Sequence, residues 1–289
     1  MVVDNFIVSA TLGYGATIIS TFILYPYRDY VKMFNIKSIP QVEPISFSSA
    51  RYRGMLQQPS QLLLIALPGG LLYTGFFFGG GSILGATLAG ALHGVGKVGV
   101  RTIAYQCKRM HGSMLVSSKS PLGCMKYGVQ HYGLLSFFSG ASATILISTA
   151  WHGAALAMLQ RSNSSGFGEA WWDAFRVHSF LAFVTAPLRN TFRSSLYSRK
   201  RSGGVHGFPT FVAGEVAIFQ EAWGVFHNML RTEGIPFFLN GVMRTALKAS
   251  LPFGFTFAMF SLLGGSLPGG NGGQMNDHRH RHMLTRRFT

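Results

Sequence analysis

Two pairs of charged residues in this sequence have a spacing that could do chemistry. Arg244 and Lys248 stand four residues apart and therefore share one face of a predicted helix. Such a pair can bind an anionic solute, or it can reach a phospholipid headgroup at a membrane surface. Asp29 and Lys32 form an acid–base pair near the start of the chain. Opposite charges of this kind attract each other in a partly dry site.

No arrangement typical of catalysis accompanies these pairs. The sequence shows no recognisable nucleophile–base pair and no metal-ligand cluster, and we predict neither an enzyme nor a bound metal. His278, His280 and His282 alternate with arginines in the tail, which disfavours a cation site. Cys107 and Cys124 are too few for a disulfide framework and are expected to be reduced thiols.

Long apolar segments must position these residues. Charged residues make up 12% of the chain, against about 25% in an average soluble domain. A helix needs about 20 mostly apolar residues to cross a bilayer. The stretches without Lys, Arg, Asp or Glu are Asn5–Tyr27, Gly54–Gly96, Tyr127–Gln160, Val177–Leu188 and Ala249–Asn276. This pattern predicts an all-α membrane protein with several spans.

The net charge of +16 raises the alternative of a nucleic-acid-binding protein. The basic residues, however, lie between hydrophobic segments and not on one polar face, so we predict no nucleic-acid partner. Basic loops that face a negatively charged compartment or leaflet explain the charge better.

We predict six transmembrane helices in three pairs, with short amphipathic surface helices between the helix pairs. The six spans are about Asn5–Met33, Gln58–Gly81, Leu84–Met110, Gly140–Gln160, Phe167–Tyr197 and Gly241–Gly264. Ser120–Gly133 and Glu221–Gly234 are the clearest surface segments. The three longer joining segments carry most of the basic residues, which places both termini on the opposite side of the membrane.

Parts of the chain repeat one another. Leu134–Gly140 matches Ile235–Gly241 position by position, around a turn rich in aromatic residues. The glycine that ends each run is followed eleven residues later by Trp151 or by Pro252. Pro68 occupies the same place in the second span. We therefore predict helix kinks at Pro68, Trp151 and Pro252.

This arrangement resembles the mitochondrial carrier family, in which each odd-numbered helix ends in Pro-x-acid-x-x-base. The proline positions here hold Pro26, Ala104 and Pro187. The acidic slots hold Arg28, Gln106 and Arg189, and the basic slots hold Val31, Arg109 and Phe192. No ring of acid–base pairs can form from these residues, although Asp29 and Lys32 lie one residue late in the first repeat.

The resemblance implies three repeats, at residues 1–81, 82–163 and 164–267, followed by a basic tail at 268–289. It also implies the inner mitochondrial membrane, with both termini towards the intermembrane space. The family's second gate needs acids near the ends of the even-numbered helices, and this sequence has none there. The positions that contact substrate in the family correspond to Ile65, Ser148 and Ala249, which are uncharged.

Two functions remain open at this point. The missing gate residues favour a carrier-like scaffold without transport, as an accessory subunit of a large inner-membrane complex such as a respiratory or ATP-synthase complex. The alternative is an active solute transporter with a divergent gate, which Asp29, Lys32, Arg244 and Lys248 would serve. Both predict bound cardiolipin or another anionic phospholipid, and neither needs another cofactor.

Overall fold

Helices form all of the regular structure in the described part of the chain. The computed structural model describes residues 2–24, 59–111, 121–162, 164, 166–199, 207–265 and 267–268. In chain order the elements are α1 (Val2–Ile23), α2 (Pro59–Phe78), α3 (Ile83–His111), α4 (Pro121–Tyr132), a 3₁₀ helix (Leu134–Phe138), α5 (Ala141–Ser148), a π-helical turn (Thr149–Gly153), α6 (Ala154–Leu159), α7 (Phe167–Val184), α8 (Ala186–Arg199), α9 (Phe208–Thr232), α10 (Ile235–Leu239) and α11 (Val242–Leu262). The all-α prediction is confirmed for these residues.

Two stretches of the described residues are long and apolar enough to cross a membrane, Ile83–Val100 and Leu134–Leu159. Shorter apolar stretches, Ile7–Ile23 and Leu62–Phe78, lie in α1 and α2. Helix α7 is less apolar because it contains three charged residues, Glu169, Asp173 and Arg176. Length and composition therefore single out fewer spans than the six that the sequence predicts.

The long helices pack in a closed cycle. Each of α1, α2, α3, the α5–α6 segment, α7 and α11 contacts the next one, and α11 returns to contact α1. Neighbours run antiparallel, as Gly75 of α2 lies against Ala89 of α3 while Gly96 of α3 lies against Pro68 of α2. Glycines allow the helix backbones to approach closely here. A Cβ atom on Gly94 would stand 2.7 Å from the Cα of Ile145.

One end of this ring is filled by an apolar cluster, which we call the apolar plug. The plug lies where α2, α6 and α11 end and where α3 and α7 begin. Tyr73 and Phe260 stack at its centre with ring centroids 4.8 Å apart. Its buried residues are Ala16, Leu72, Tyr73, Phe76, Ala86, Ala89, Leu156, Leu159, Ala170, Ala174, Phe257, Ala258 and Phe260. None of them is charged, so apolar packing closes this end.

The two glycine turns that match in sequence also match in conformation. Gly140 and Gly241 both adopt left-handed backbone angles, with φ of 80° and 69°. Each directly precedes an inner helix, α5 or α11, and each follows a single short helix. A residue with a Cβ atom is strained at such φ values, which explains glycine at both places.

One predicted boundary, the start of a surface helix, is wrong, and one predicted span is interrupted. The surface helix predicted at Glu221–Gly234 is α9, which already begins at Phe208 and ends at Thr232. Gly207 is extended and Pro209 lies in the first turn, where a proline is well tolerated. The fifth predicted span is interrupted at Thr185, between α7 and α8. Pro187 has no amide hydrogen to donate to the preceding turn, which accounts for the break.

The three predicted kink positions lie in different settings. Pro68 and Pro252 stand inside α2 and α11, which continue through them. Trp151 stands at the centre of the π-helical turn that interrupts the fourth predicted span. π turns are one cause of helix bending, and the kinks at the three positions stay predictions.

Candidate functional site

Histidines from three segments meet inside the ring, next to the apolar plug. Nδ1 of His152 lies 2.7 Å from Nε2 of His178, within hydrogen-bond distance. Nδ1 of His178 lies 2.9 Å from Oγ of Ser250 on α11. His178 and Ser250 are fully buried, and His152 is 7% exposed. These bonds therefore connect the π turn, α7 and α11 in a buried environment.

His93 of α3 extends this network on the other side. Its Nδ1 lies 3.2 Å from Oγ of Ser148 at the end of α5. Its ring meets the ring of His152 edge to face, with centroids 4.2 Å apart. We call the five residues His93, Ser148, His152, His178 and Ser250 the histidine belt. The belt crosses the ring from α3 to α11.

Aromatic rings fill the space around the belt. Trp151 stacks on His152 and on His178, with centroids 4.8 Å and 4.7 Å apart. Phe253 covers the other side of His178 at 4.1 Å. The indole Nε1 of Trp151 also donates a hydrogen bond of 2.9 Å to the carbonyl oxygen of His178. The centre of the ring is thus packed with stacked side chains.

The π-helical turn explains how adjacent residues both point inward. A π turn has more residues per turn than an α-helix, so successive side chains diverge less around the axis. Trp151 and His152 are accordingly both buried, at 3% and 7% exposure. Such turns occur frequently at functional sites.

Arg189 joins the second and third predicted repeats through this packing. Its guanidinium lies over the Trp151 ring, 4.6 Å from the centroid. It also donates a hydrogen bond of 3.2 Å to the carbonyl oxygen of Ala182. A cation over an indole is attracted by the negative face of the ring. The residue in an acidic gate slot therefore makes a cation–π contact with the residue at a kink position.

A carboxylate makes a second bridge between these repeats. Glu215 of α9 accepts hydrogen bonds from the backbone N–H groups of Gly140 and Ser142, at 2.6 Å and 3.0 Å. It also accepts one from the Ser142 hydroxyl. The N-terminus of a helix carries partial positive charge, and an anion is stabilised there. Glu215 thus caps α5 from a distant part of the chain.

Several predicted site residues are not placed by this structure. Pro26, Arg28, Asp29 and Lys32 lie outside the described residues. Gln106 and Arg109 belong to α3, whose backbone is described at that point without their side chains. Arg244 and Lys248 are exposed on α11. Their contact with an anion or a lipid headgroup remains a prediction.

The structure brings together three of the predicted positions and adds three residues that the sequence analysis missed. Trp151, Arg189 and Ser148 meet at the belt, whereas His152, His178 and Ser250 were not considered beforehand. A signal existed, because each belt histidine lies in a stretch without Lys, Arg, Asp or Glu. Ionisable residues within such apolar segments are rare and are frequently functional.

The belt can hold and exchange protons. Imidazole nitrogens and serine hydroxyls act as donors or acceptors depending on their protonation. Nδ1 of His152 and Nε2 of His178 already form a hydrogen bond with each other. Among the residues that the structure describes, no group of three or more His, Cys, Asp or Glu side chains could hold a metal ion. Proton binding is a chemistry that imidazole nitrogens and serine hydroxyls support.

Comparison with known proteins adds no assignment. No family model matches the sequence, and no curated protein matches it either.

Proposed function

We propose that this chain is a carrier-like protein of the inner mitochondrial membrane, with six membrane spans in three repeats, that serves as a structural subunit of a larger complex without transporting a solute. The observation that carries the proposal is the filled centre of the ring. Trp151, His152, His178 and Phe253 stack there, and the apolar plug lies beyond them. A solute could pass only if both layers came apart.

The closed cycle of helices supports the six-span arrangement. Antiparallel neighbours and the contact between α11 and α1 are what three helix pairs would form if they closed into a barrel. The matching turns at Gly140 and Gly241 support an internal repeat. The apolar stretches of α1, α2, α3 and the α5–α6 segment are of a suitable composition for membrane spans.

The interactions between repeats support a static role. Carriers open and close through acid–base pairs between repeats, and those pairs are missing here from the sequence. In their place Arg189 lies over Trp151, and Glu215 caps α5. Both contacts join the second repeat to the third.

Anionic phospholipid, such as cardiolipin, is part of the proposal. The net charge of +16 and the exposed side chains of Arg244 and Lys248 favour a negatively charged lipid surface. Lipid extracted from the purified protein is expected to be enriched in anionic headgroups. A purified protein that retains only neutral lipid would contradict this part.

Thiol accessibility tests the filled centre. In a Cys107→Ser, Cys124→Ser background, single cysteines are placed at Ala155 and Ala246, which are buried at 0% and 4% exposure. Gln220→Cys on the exposed face of α9 is the control. In sealed proteoliposomes at neutral pH, an impermeant thiol reagent is expected to label the control and spare both buried positions.

Labelling of one buried cysteine from both sides of the membrane would indicate alternating access. That result, together with saturable uptake of an anionic metabolite by the same vesicles, would favour the transporter and overturn the proposal. Protection of both positions without uptake supports the structural role.

A further inference from the structure

The hydrogen bond between His152 and His178 has room for only one hydrogen. Nδ1 of His152 and Nε2 of His178 are 2.7 Å apart, so one nitrogen must donate while the other accepts. If both carried hydrogen, the two N–H groups would point at each other. The distance between the rings therefore depends on how many protons the pair holds.

The belt can accept one additional proton without moving its heavy atoms. A doubly protonated His178 would donate from Nε2 to His152 and from Nδ1 to the hydroxyl oxygen of Ser250, 2.9 Å away. Protonation of His152 as well leaves its Nδ1–H facing another donor. The second proton must separate the two rings.

The charges around the pair oppose this second proton. Lys97 and His93 of α3 and Arg189 of α8 act electrostatically on the belt, and each would repel a further positive charge. The π turn and α11 face the pair with Trp151, Phe253 and the two belt serines, none of which carries charge. Within the described residues, the groups that act electrostatically on His152 and His178 include no carboxylate. No negative charge among them offsets the repulsion.

Separation of the rings would open the seam between the α5–α6 segment and α7. His152 belongs to the first and His178 to the second, and the Trp151–His178 hydrogen bond crosses the same seam. On its other side, α7 packs extensively on α11, including the contact of Gly254 with Trp171. Helix α7 would therefore leave the π turn together with α11.

We propose that the histidine belt is a proton-operated lock, closed at neutral pH and released when His152 and His178 are both protonated. Release parts the π turn from α7, while the apolar plug, where α6 and α7 also meet, stays packed. The lock is a property of the ring itself and does not depend on membership of a larger complex.

A single buried cysteine reports on the seam. Ala182→Cys replaces a fully buried residue packed against Trp151, and Ala174→Cys replaces a fully buried residue of the plug on the same helix. Both are made in the Cys107→Ser, Cys124→Ser background and treated with 4,4′-dithiodipyridine, which reacts with thiols in acid. As the pH falls from about 8 to well below the ordinary histidine range of about 5 to 8, labelling of Ala182→Cys is expected to accelerate about tenfold or more, because the surrounding positive charges delay the second proton.

The plug cysteine is expected to stay protected over the same range. Unchanged labelling of Ala182→Cys in the protein with an intact belt would overturn the proposal without any belt variant. Equal acceleration at Ala174→Cys would also overturn it, because acid would then be unfolding the whole ring.

Belt variants test whether the histidines themselves are responsible. His152→Asn keeps a hydrogen-bonding group near the Nδ1 position and His178→Gln keeps one near Nε2, and neither new side chain titrates. The double variant is expected to lose the acid response at Ala182→Cys, whereas His131→Asn and His227→Gln, both at exposed histidines, keep it. An acid response that persists in a folded double variant contradicts the lock, and so does a response lost in either control.

Discussion

Glu215 offers the sharpest quantitative test of how α9 is joined to α5. Its carboxylate accepts two backbone hydrogen bonds and one hydroxyl hydrogen bond at the N-terminus of α5. Hydrogen bonds to a charged group contribute about 1.5–3 kcal/mol each, and loss of a helix N-cap costs about 0.5–2 kcal/mol. Glu215→Gln keeps the length of the side chain but removes the charge and turns one acceptor into a donor. Because one acceptor remains, we expect a loss of about 2 kcal/mol.

Amide hydrogen exchange measures this loss at the site itself. A loss of about 2 kcal/mol corresponds to about 30-fold faster exchange through local opening. The expected location is the first turn of α5, including the amides of Gly140 and Ser142. Glu233→Gln is the matched control, because it makes the same charge change at an exposed residue where α9 ends.

The control is expected to leave exchange in α5 unchanged. If Glu215→Gln accelerates exchange at Gly140 and Ser142 by less than about threefold, the cap contributes under about 1 kcal/mol and the reasoning from helix charge is refuted.

Three further substitutions test individual contacts inside the ring. Trp151→Phe keeps the stacking but loses the hydrogen bond to His178, and thermal unfolding should show a loss of about 1 kcal/mol. Arg189→Leu removes the cation over Trp151, and the same assay should show a loss of about 1–2 kcal/mol, whereas no measurable change would contradict the cation–π contact. Gly94→Ala should destabilise α3 by about 1–3 kcal/mol, because its Cβ atom would overpack the contact with Ile145. Gly99→Ala is the control in the same denaturation series. It should be neutral or stabilising, because the space at its Cβ position is open.

Local features of the fold were predictable wherever one residue type is required by the backbone. The matched sequence runs that end in Gly140 and Gly241 predicted similar local structure at both places. Both glycines adopt left-handed backbone angles. The kink predicted at Trp151 from its spacing to Gly140 falls in the π-helical turn. These features depend on nearby residues, and a single sequence carries that information.

The belt was not predictable because its parts are distant in sequence. His93, His152 and His178 lie on separate segments, and only the packing of α3, the π turn and α7 brings them together. The apolar stretches around each histidine were visible, but the pairing was not. The start of α9 was missed although Pro209 in its first turn is a local signal for a helix N-terminus.

Native electrophoresis tests the proposed role most directly. Mitochondrial membranes from the source organism are extracted with a mild detergent, and the chain is located by antibody and by mass spectrometry. The proposal predicts that the chain migrates with a complex many times its own mass of 31.5 kDa, together with a constant set of other subunits. Migration of the whole population as a free monomer, under conditions that keep known inner-membrane complexes intact, would contradict the structural role and would make solute transport the leading alternative.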